Sequence, residues 1–332
     1  MNDPVLPVGK LPAVLLRRML APFQRESAEL LLPPSVGEDA GVIGIGDGAL
    51  VVATDPITLT GRDIGGHAVL INANDVAVLG ARPRWFLAVF LLPVGTTESD
   101  VSGMFESMRE ALDTLDILLV GGHTEVTSAV VQPVITGQML GFREDGTFVR
   151  TGGVRASDVV LQIGSAPVEG AAVLANEMGD VMRDVAPNVL AAAKAAIRDP
   201  GISVVAPALR AATLGATAMH DPTEGGLSAG LHEMAEASGL ALQVHRSAAL
   251  WYAPGIALCD AVGADPWGML ASGTLLAAFP ETGVGDVRRA LEADGHVVAI
   301  IARAEAGAGV TFDDGAPMLR YEQDELSRIL LA

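Results

Sequence analysis

The stretch from His67 to Ala81, HAVLINANDVAVLGA, is apolar on nearly every side once wound into a helix, yet it holds Asn72, Asn74 and Asp75. A helix that lacks a polar face is expected to be largely buried. A carboxylate inside it then needs a cation or several hydrogen-bond donors to offset its lost hydration. Asn72 and Asp75 are three residues apart and share a face. Two roles fit Asp75: a ligand-binding carboxylate, or a packing group satisfied by nearby backbone. The rest of the interior must be built mainly from Ala, Val and Leu, because hydrophobic residues make up 50% of the chain and aromatic residues only 4%. At 332 residues, two domains sharing a cleft are expected rather than one.

Charge narrows the function. The formal net charge is -19, a surface that repels nucleic-acid backbones and anionic lipid. Nucleic acid and membrane are therefore not expected as partners. A free nucleotide would be repelled as well, unless a metal ion or local backbone donors offset the charge. Cys259 is the single cysteine, which leaves no intrachain disulfide and no cysteine-rich zinc site; it reads as a small buried residue. No apolar run reaches the roughly 18 residues of a membrane span. Asp3 comes first and Arg17-Arg18 follow the apolar stretch, the reverse of a signal peptide. A soluble, cytoplasmic protein is expected.

Periodicity predicts a mixed α/β pattern in two halves, 1–150 and 151–332, with Gly152-Gly153 at the boundary. A helix over 11–21 is followed by a hairpin turning at Gly46-Asp47-Gly48, whose second strand ends on Thr54-Asp55-Pro56. Then come a helix over 66–80, strand 85–92, a helix near 97–113, strand 116–120 running into Gly121-Gly122, and strand 130–141. The second half begins with strand 158–163 and continues with helices over 170–198 broken at Pro187, a helix near 204–214 and one over 224–238 stopped by Gly239. From 240 onward, strands alternate with one clear helix at 284–293.

Five polar clusters fall where these elements begin or end: Gly37-Glu38-Asp39-Ala40, Thr54-Asp55, Asn72 with Asn74-Asp75, Gly121-Gly122-His123-Thr124-Glu125, and Asp221-Pro222-Thr223-Glu224-Gly225-Gly226. A glycine pair after a strand lets backbone N–H groups approach an anion, or it is a plain turn. His123 reads equally as a ligand or as a neutral hydrogen-bonded group. Asp55 before Pro56 sits either at a ligand-facing sheet edge or in an Asx turn. Glu38 and Asp39 fit a ligand pair or a solvated turn. Asp221, Pro222 and Glu224 fit the cap, first position and third position of a helix. Hard oxygen ligands from separate turns suit Mg²⁺ or Mn²⁺ carrying nucleotide phosphate. No G-x-x-x-x-G-K-[ST] loop, kinase-type loop with H-R-D, or G-x-S-x-G elbow occurs.

The clusters, in this order, resemble the aminoimidazole ribonucleotide synthetase-related superfamily, which includes thiamine-monophosphate kinase, selenophosphate synthetase and hydrogenase expression/formation protein E. The resemblance is strongest to the last of these. It also rests on Gly9-Lys10-Leu11-Pro12, Asn74-Asp75-Val76-Ala77-Val78-Leu79-Gly80-Ala81-Arg82-Pro83, Glu169-Gly170 and Gly263-Ala264-Asp265-Pro266. It implies a two-domain α/β (α+β) fold whose N-terminal sheet domain dimerises through a barrel-like interface, with ATP between the domains. By similarity, Glu38, Asp39, Asp55 and Asp75 would hold metal, Mg²⁺ or Mn²⁺, and phosphate, with Thr54 and Asn74 beside them. Gly121, Gly122, His123 and Thr124 would lie against the phosphates. Asp221, Thr223, Glu224 and Gly225 would act from the second domain, and Lys10 would contact phosphate.

The implied activity is ATP-dependent phosphotransfer to an amide- or carbonyl-type oxygen of a small substrate, in a homodimer, with a maturation-complex protein as a further partner. The alternatives are a non-catalytic ATP-binding scaffold or sensor in metallocentre maturation, and a thiamine-monophosphate-kinase-like enzyme. Three departures bear on the substrate. His123 stands where many relatives carry an acid, Glu224 where the maturation protein usually has Arg, and Ser272-Gly273-Thr274 replaces Glu-Gly-Lys. The chain ends on Ala332 without the cysteine on which the maturation protein builds its thiocyanate, so that route is expected to be closed.

Overall fold

The computed structural model describes residues 10–23, 27–58, 63–178 and 181–330; Gly9 and the last two residues of the tail lie outside them. In chain order the elements are α1 (Ala13–Leu20), β1 (Leu30–Leu32), β2 (Gly41–Ile45), β3 (Gly48–Ile57), α2 (Ile64–Val78), β4 (Pro83–Pro93), α3 (Glu98–Leu115), β5 (Leu118–Thr127) and β6 (Val134–Arg143). They continue with β7 (Asp158–Ile163), α4 (Val168–Glu177), α5 (Pro187–Ala195), α6 (Val205–Thr213), β8 (Ala218–His220), α7 (Gly226–Ser238) and β9 (Ala241–Val244). The last are α8 (Ala253–Val262), β10 (Leu275–Pro280), α9 (Val284–Ala293), β11 (Val298–Glu305), β12 (Gly309–Phe312) and α10 (Glu325–Leu330).

Two compact units result. One comprises Glu26–Pro33 and Asp39–Phe148; the other comprises Val149–Ala332 with Met1–Arg25 and Pro34–Glu38. The first is built on a six-stranded sheet in the order β1-β2-β3-β6-β4-β5, antiparallel except for the β4–β5 pair. Strict alternation decides its faces. Ala49, Val51 and Ala53 of β3, Ile135 and Met139 of β6, and Phe86, Ala88, Phe90 and Leu92 of β4 are buried beneath α2. Leu50, Val52, Leu140, Phe142, Leu87, Val89 and Leu91 point the other way and are only half-covered. Thirteen of the fifteen residues of α2 are buried, as expected of a helix without a polar side. Against it lies α3, opened by a Thr97–Asp100 capping box and buried through Met104, Met108 and Leu112 at helical spacing.

The second unit carries a sheet in the order β12-β9-β11-β7-β10-β8, antiparallel except for β12–β9. Every residue of β7 is buried, as in a central strand covered on both faces. One apolar cluster joins Val160, Leu276 and Ile301 to Leu227, Leu231 and Met234 of α7. A second joins Leu174, Leu258, Cys259, Met269 and Leu326 of the neighbouring helices and loops. Burial pushes the Cys259 thiol up to about 12, so it is an inert core residue.

Three local expectations are corrected. Past residue 240 the described residues form three α-helices, not one: α8 and α10 join α9. The strand carrying Asp55 runs on to Ile57 because β6 continues to pair with it. The alanine-rich region breaks before Pro187, which opens α5 rather than interrupting it.

Candidate functional site

In the first unit the site is organised by Asn72. Its side chain is fully buried and grips the peptide of Asp55 from both sides. The Asp55 N–H donates to Asn72 Oδ1 at 2.8 Å, and Asn72 Nδ2 donates to the Asp55 C=O at 3.2 Å and to the Ala68 C=O at 2.9 Å. A residue of the helix thereby fixes the backbone of the strand beneath it, while the Asp55 carboxylate stays exposed. Only glycine can sit opposite: a Cβ on Gly137 would lie 2.4 Å from Asn72 Nδ2. Thr54 ties down the same stretch, its hydroxyl donating to the Gly137 C=O at 2.8 Å. Asn74 is fully buried and Asp75 is 7% exposed; each has interaction partners, as does Asp39, which is half-buried just ahead of β2.

The phosphate-cradling turn expected at Gly121-Gly122 is not a turn. β5 passes straight through these residues as the edge strand of the sheet, exposed along nearly its whole length. Backbone pairing to β4 carries the strand through two residues that have no β-propensity of their own. Register then separates the side chains. Gly122 and Thr124 align with Ala88 and Phe90, on the face that carries Asp55, whereas His123 and Glu125 align with Val89 and Leu91 on the opposite face. His123 Nε2 lies 3.3 Å from Glu125 Oε2. The pleat of the strand thus sends His123 and Thr124, both expected to lie against the phosphates, to opposite faces of the sheet.

Glu38 has a different occupation from the one expected of a metal ligand. Its side chain is 4% exposed and accepts from the Thr151 N–H at 3.1 Å, the Gly152 N–H at 3.4 Å and Arg150 at 3.3 Å. Such a carboxylate is spent on holding the start of the second unit.

In that unit Asp221 follows β8 and is 2% exposed, with interaction partners of its own. It is not the N-cap of the next helix: α7 starts at Gly226 with Gly225 as its cap. Beside it, His220 Nε2 meets Glu233 Oε2 at 2.8 Å. Burial pushes the Glu233 carboxyl up, but the His220 hydrogen bond and charge, with Lys10 and Arg320 nearby, outweigh it and hold the group at about 2. Lys10 Nζ donates to Thr223 Oγ1 at 3.2 Å, so the amino-terminal segment is fastened to the loop that the sequence singled out. Glu224 is half-exposed.

The Gly225 N–H, expected to face a ligand, is already taken by Asp324 Oδ2 at 2.6 Å. Ser272 is fully buried, its hydroxyl without a hydrogen-bond partner among the described residues, and Thr274 Oγ1 donates to the Ser165 C=O at 3.2 Å. His220, Glu233 and Asp324 escaped the sequence reading. His220 next to Asp221 after an apolar strand was the one signal available; Glu233 and Asp324 lie 13 and 99 residues from their partners.

Among the described residues no group of three or more His, Cys, Asp or Glu side chains is gathered to hold a metal ion.

Comparison with known proteins agrees with this architecture. The family described as AIR synthase related protein, N-terminal domain, matches residues 37–142, and its C-terminal domain family matches residues 155–315. A putative hydrogenase expression/formation protein of Methanocaldococcus jannaschii is 28% identical over 266 residues, covering 77% of this chain and 74% of that one. The carbamoyl dehydratase HypE of Cupriavidus necator is 31% identical over 251 residues, 73% of this chain and 68% of its own. The thiamine-monophosphate kinase of Mycobacterium tuberculosis is 30% identical over 268 residues, 75% and 74%. Among solved structures, a chain of a HypE–HypF complex superposes with a TM-score of 0.75 at 21% identity, covering 93% of this chain and all of that one, 100%. HypE in complex with ATP gives 0.70 at 22%, covering 93% and 91%. Two matched domains in tandem, on the two-unit fold of these structures, make this chain a member of the AIR synthase related protein family.

Proposed function

We propose that this chain uses ATP, with Mg²⁺ or Mn²⁺, to activate a carbamoyl-type substrate by phosphotransfer to its amide or carbonyl oxygen. The observation that carries the reading is the match to carbamoyl dehydratases across most of both chains, on a fold shared with a HypE structure in complex with ATP. Asp55 and Asp75, with Asp39 and Asn74, are the residues for metal and phosphate; Glu38 is left out because its carboxylate is occupied. A bound divalent ion would neutralise the phosphates. Asn72 would keep Asp55 in place for it, and Asp221, Thr223 and Glu224 would orient the acceptor, with positioning supplying most of the catalysis.

Homodimerisation through the first unit belongs to the same proposal. Its sheet leaves one apolar face half-covered, and β5 ends it with Leu118 64%, Leu119 47%, Val120 53% and Val126 57% exposed. A bare apolar edge of this kind calls for a second chain. A maturation protein as a further partner, and a cytoplasmic setting, complete the reading; no described helix is long and apolar enough to cross a membrane.

Isothermal titration with Mg-ATP tests the site, and phosphate release with and without carbamoyl donors tests the reaction. Asp55→Asn and Asp75→Asn should each weaken Mg-ATP binding about tenfold or more. Unchanged affinity in both variants would remove the site assignment. A second reading, a thiamine-monophosphate-kinase-like enzyme, is favoured by the 30% identity to the mycobacterial kinase; a diphosphate product from thiamine monophosphate would select it. Nucleotide binding without turnover on any such acceptor would select the scaffold or sensor.

A further inference from the structure

We propose that Asp324, near the carboxy-terminal end, is a positioning residue for the Asp221–Gly226 turn, acting as a built-in anion at the start of α7. The inference rests on the reading of Asp221, Thr223 and Glu224 as the acceptor-orienting segment.

A helix N-terminus offers unpaired N–H groups and positive potential, and it draws an anion. Here the anion comes from the same chain. Gly225, the cap of α7, has φ +81, and its N–H points at Asp324 Oδ2, 2.6 Å away. The other oxygen, Oδ1, accepts from the Leu326 N–H at 2.7 Å. Asp324 as a whole is 8% exposed, and both of its carboxylate oxygens accept from backbone amides. A second wall closes the turn from the other side. The Thr223 C=O accepts from the Gly226 N–H at 3.1 Å and from the Ala271 N–H at 3.2 Å. A Cβ on Gly226, whose φ is +65, would lie 2.6 Å from the carbonyl oxygens of Trp267 and Met269. The turn can therefore neither swell toward residues 267–271 nor drift away from Asp324, and Thr223 and Glu224 are left half-exposed at its tip.

Asp324 is in turn immobilised by α10, through buried Leu326 and through Glu325, which accepts from the Asp265 N–H at 2.9 Å. The carboxy-terminal segment thus reaches the Asp221–Gly226 turn through the buried carboxylate of Asp324.

The test uses the full chain carrying Asp324→Asn or Asp324→Ser, with Asp221→Asn alongside. Turnover of ATP with the acceptor and titration of Mg-ATP are measured on each. Asp324→Asn should lower kcat about tenfold, with KM for ATP within about twofold of wild type and a binding stoichiometry near that of wild type. A folded Asp324→Asn variant with wild-type kcat overturns the proposal if Asp221→Asn is inactive. If Asp221→Asn also keeps wild-type kcat, the reading of the whole segment fails instead. Where the wild-type chain turns over none of the acceptors, amide exchange decides. Gly225 and Gly226 amides must exchange about tenfold faster in Asp324→Ser than in wild type for the positioning role to stand. Loss of folding in both Asp324 variants overturns it in favour of a purely structural role.

Discussion

Asn72 shows how a single amide can serve strand, helix and site together. Its carbonyl and NH₂ satisfy the Asp55 peptide and the Ala68 carbonyl from a side chain that is itself fully buried. Asn72→Ala strands two backbone groups and should cost about 2–4 kcal/mol in equilibrium denaturation. It should also weaken Mg-ATP binding, because Asp55 loses its anchor. The buried acids make opposite demands on pH. Glu233 is lowered from 4.5 to about 2: its stabilising contribution is fully present above pH 4.5 and is lost as pH falls toward 2. Asp324 is raised from 3.8 to about 6, chiefly by burial and further by Glu224, against the lowering effect of the Gly225 and Leu326 amides. Its contribution is therefore present below pH 3.8 and is lost as pH rises through about 6. Melting temperature followed against pH should show a shallower acid limb in Glu233→Gln. In Asp324→Asn the decline between pH 4 and 6 should be reduced.

At the scale of elements, β5 is the exposed feature and α2 the hidden one. Replacing Leu118 and Val120 on β5 by Glu places charge on a strand that the proposal puts between copies of the chain. Light scattering should then report a monomer for the double variant and, as proposed, a dimer for the unaltered chain, with the far-ultraviolet circular dichroism spectrum unchanged. A dimer that persists in the double variant removes β5 from the interface. β7, β4 and α9 could be read from periodicity because each is long enough and cleanly patterned. β5 beyond Val120 could not, since its partner strand rather than its own residues holds it extended. α8 was hidden because Pro254 and Gly255 look like a turn until Pro254 is seen at the first positions of a helix.

For the whole molecule, the formal net charge of -19 repels a free nucleotide, and the proposed divalent ion would offset that repulsion. Thermal shift with ATP should be small without divalent ion and larger with it. At a hundredfold excess of Mg-ATP over Kd, stabilisation should reach about 2.7 kcal/mol. Equal shifts with and without metal would contradict the proposed role of the ion.

The order of the polar clusters along the chain was enough for the family and the two-domain fold, because each cluster is short, local and chemically distinctive. The buried helix around Asp75 was equally readable, since apolar residues on every side leave a helix nowhere else to lie. Tertiary structure alone decided which polar atoms are free to act. Glu38 is consumed by Arg150 and the Thr151 and Gly152 amides, the Gly225 N–H by Asp324, and His123 is turned from Asp55 by strand register. Those outcomes depend on pairings between residues as many as 114 positions apart. No local pattern encodes a contact whose partner is chosen only when sheets and helices pack.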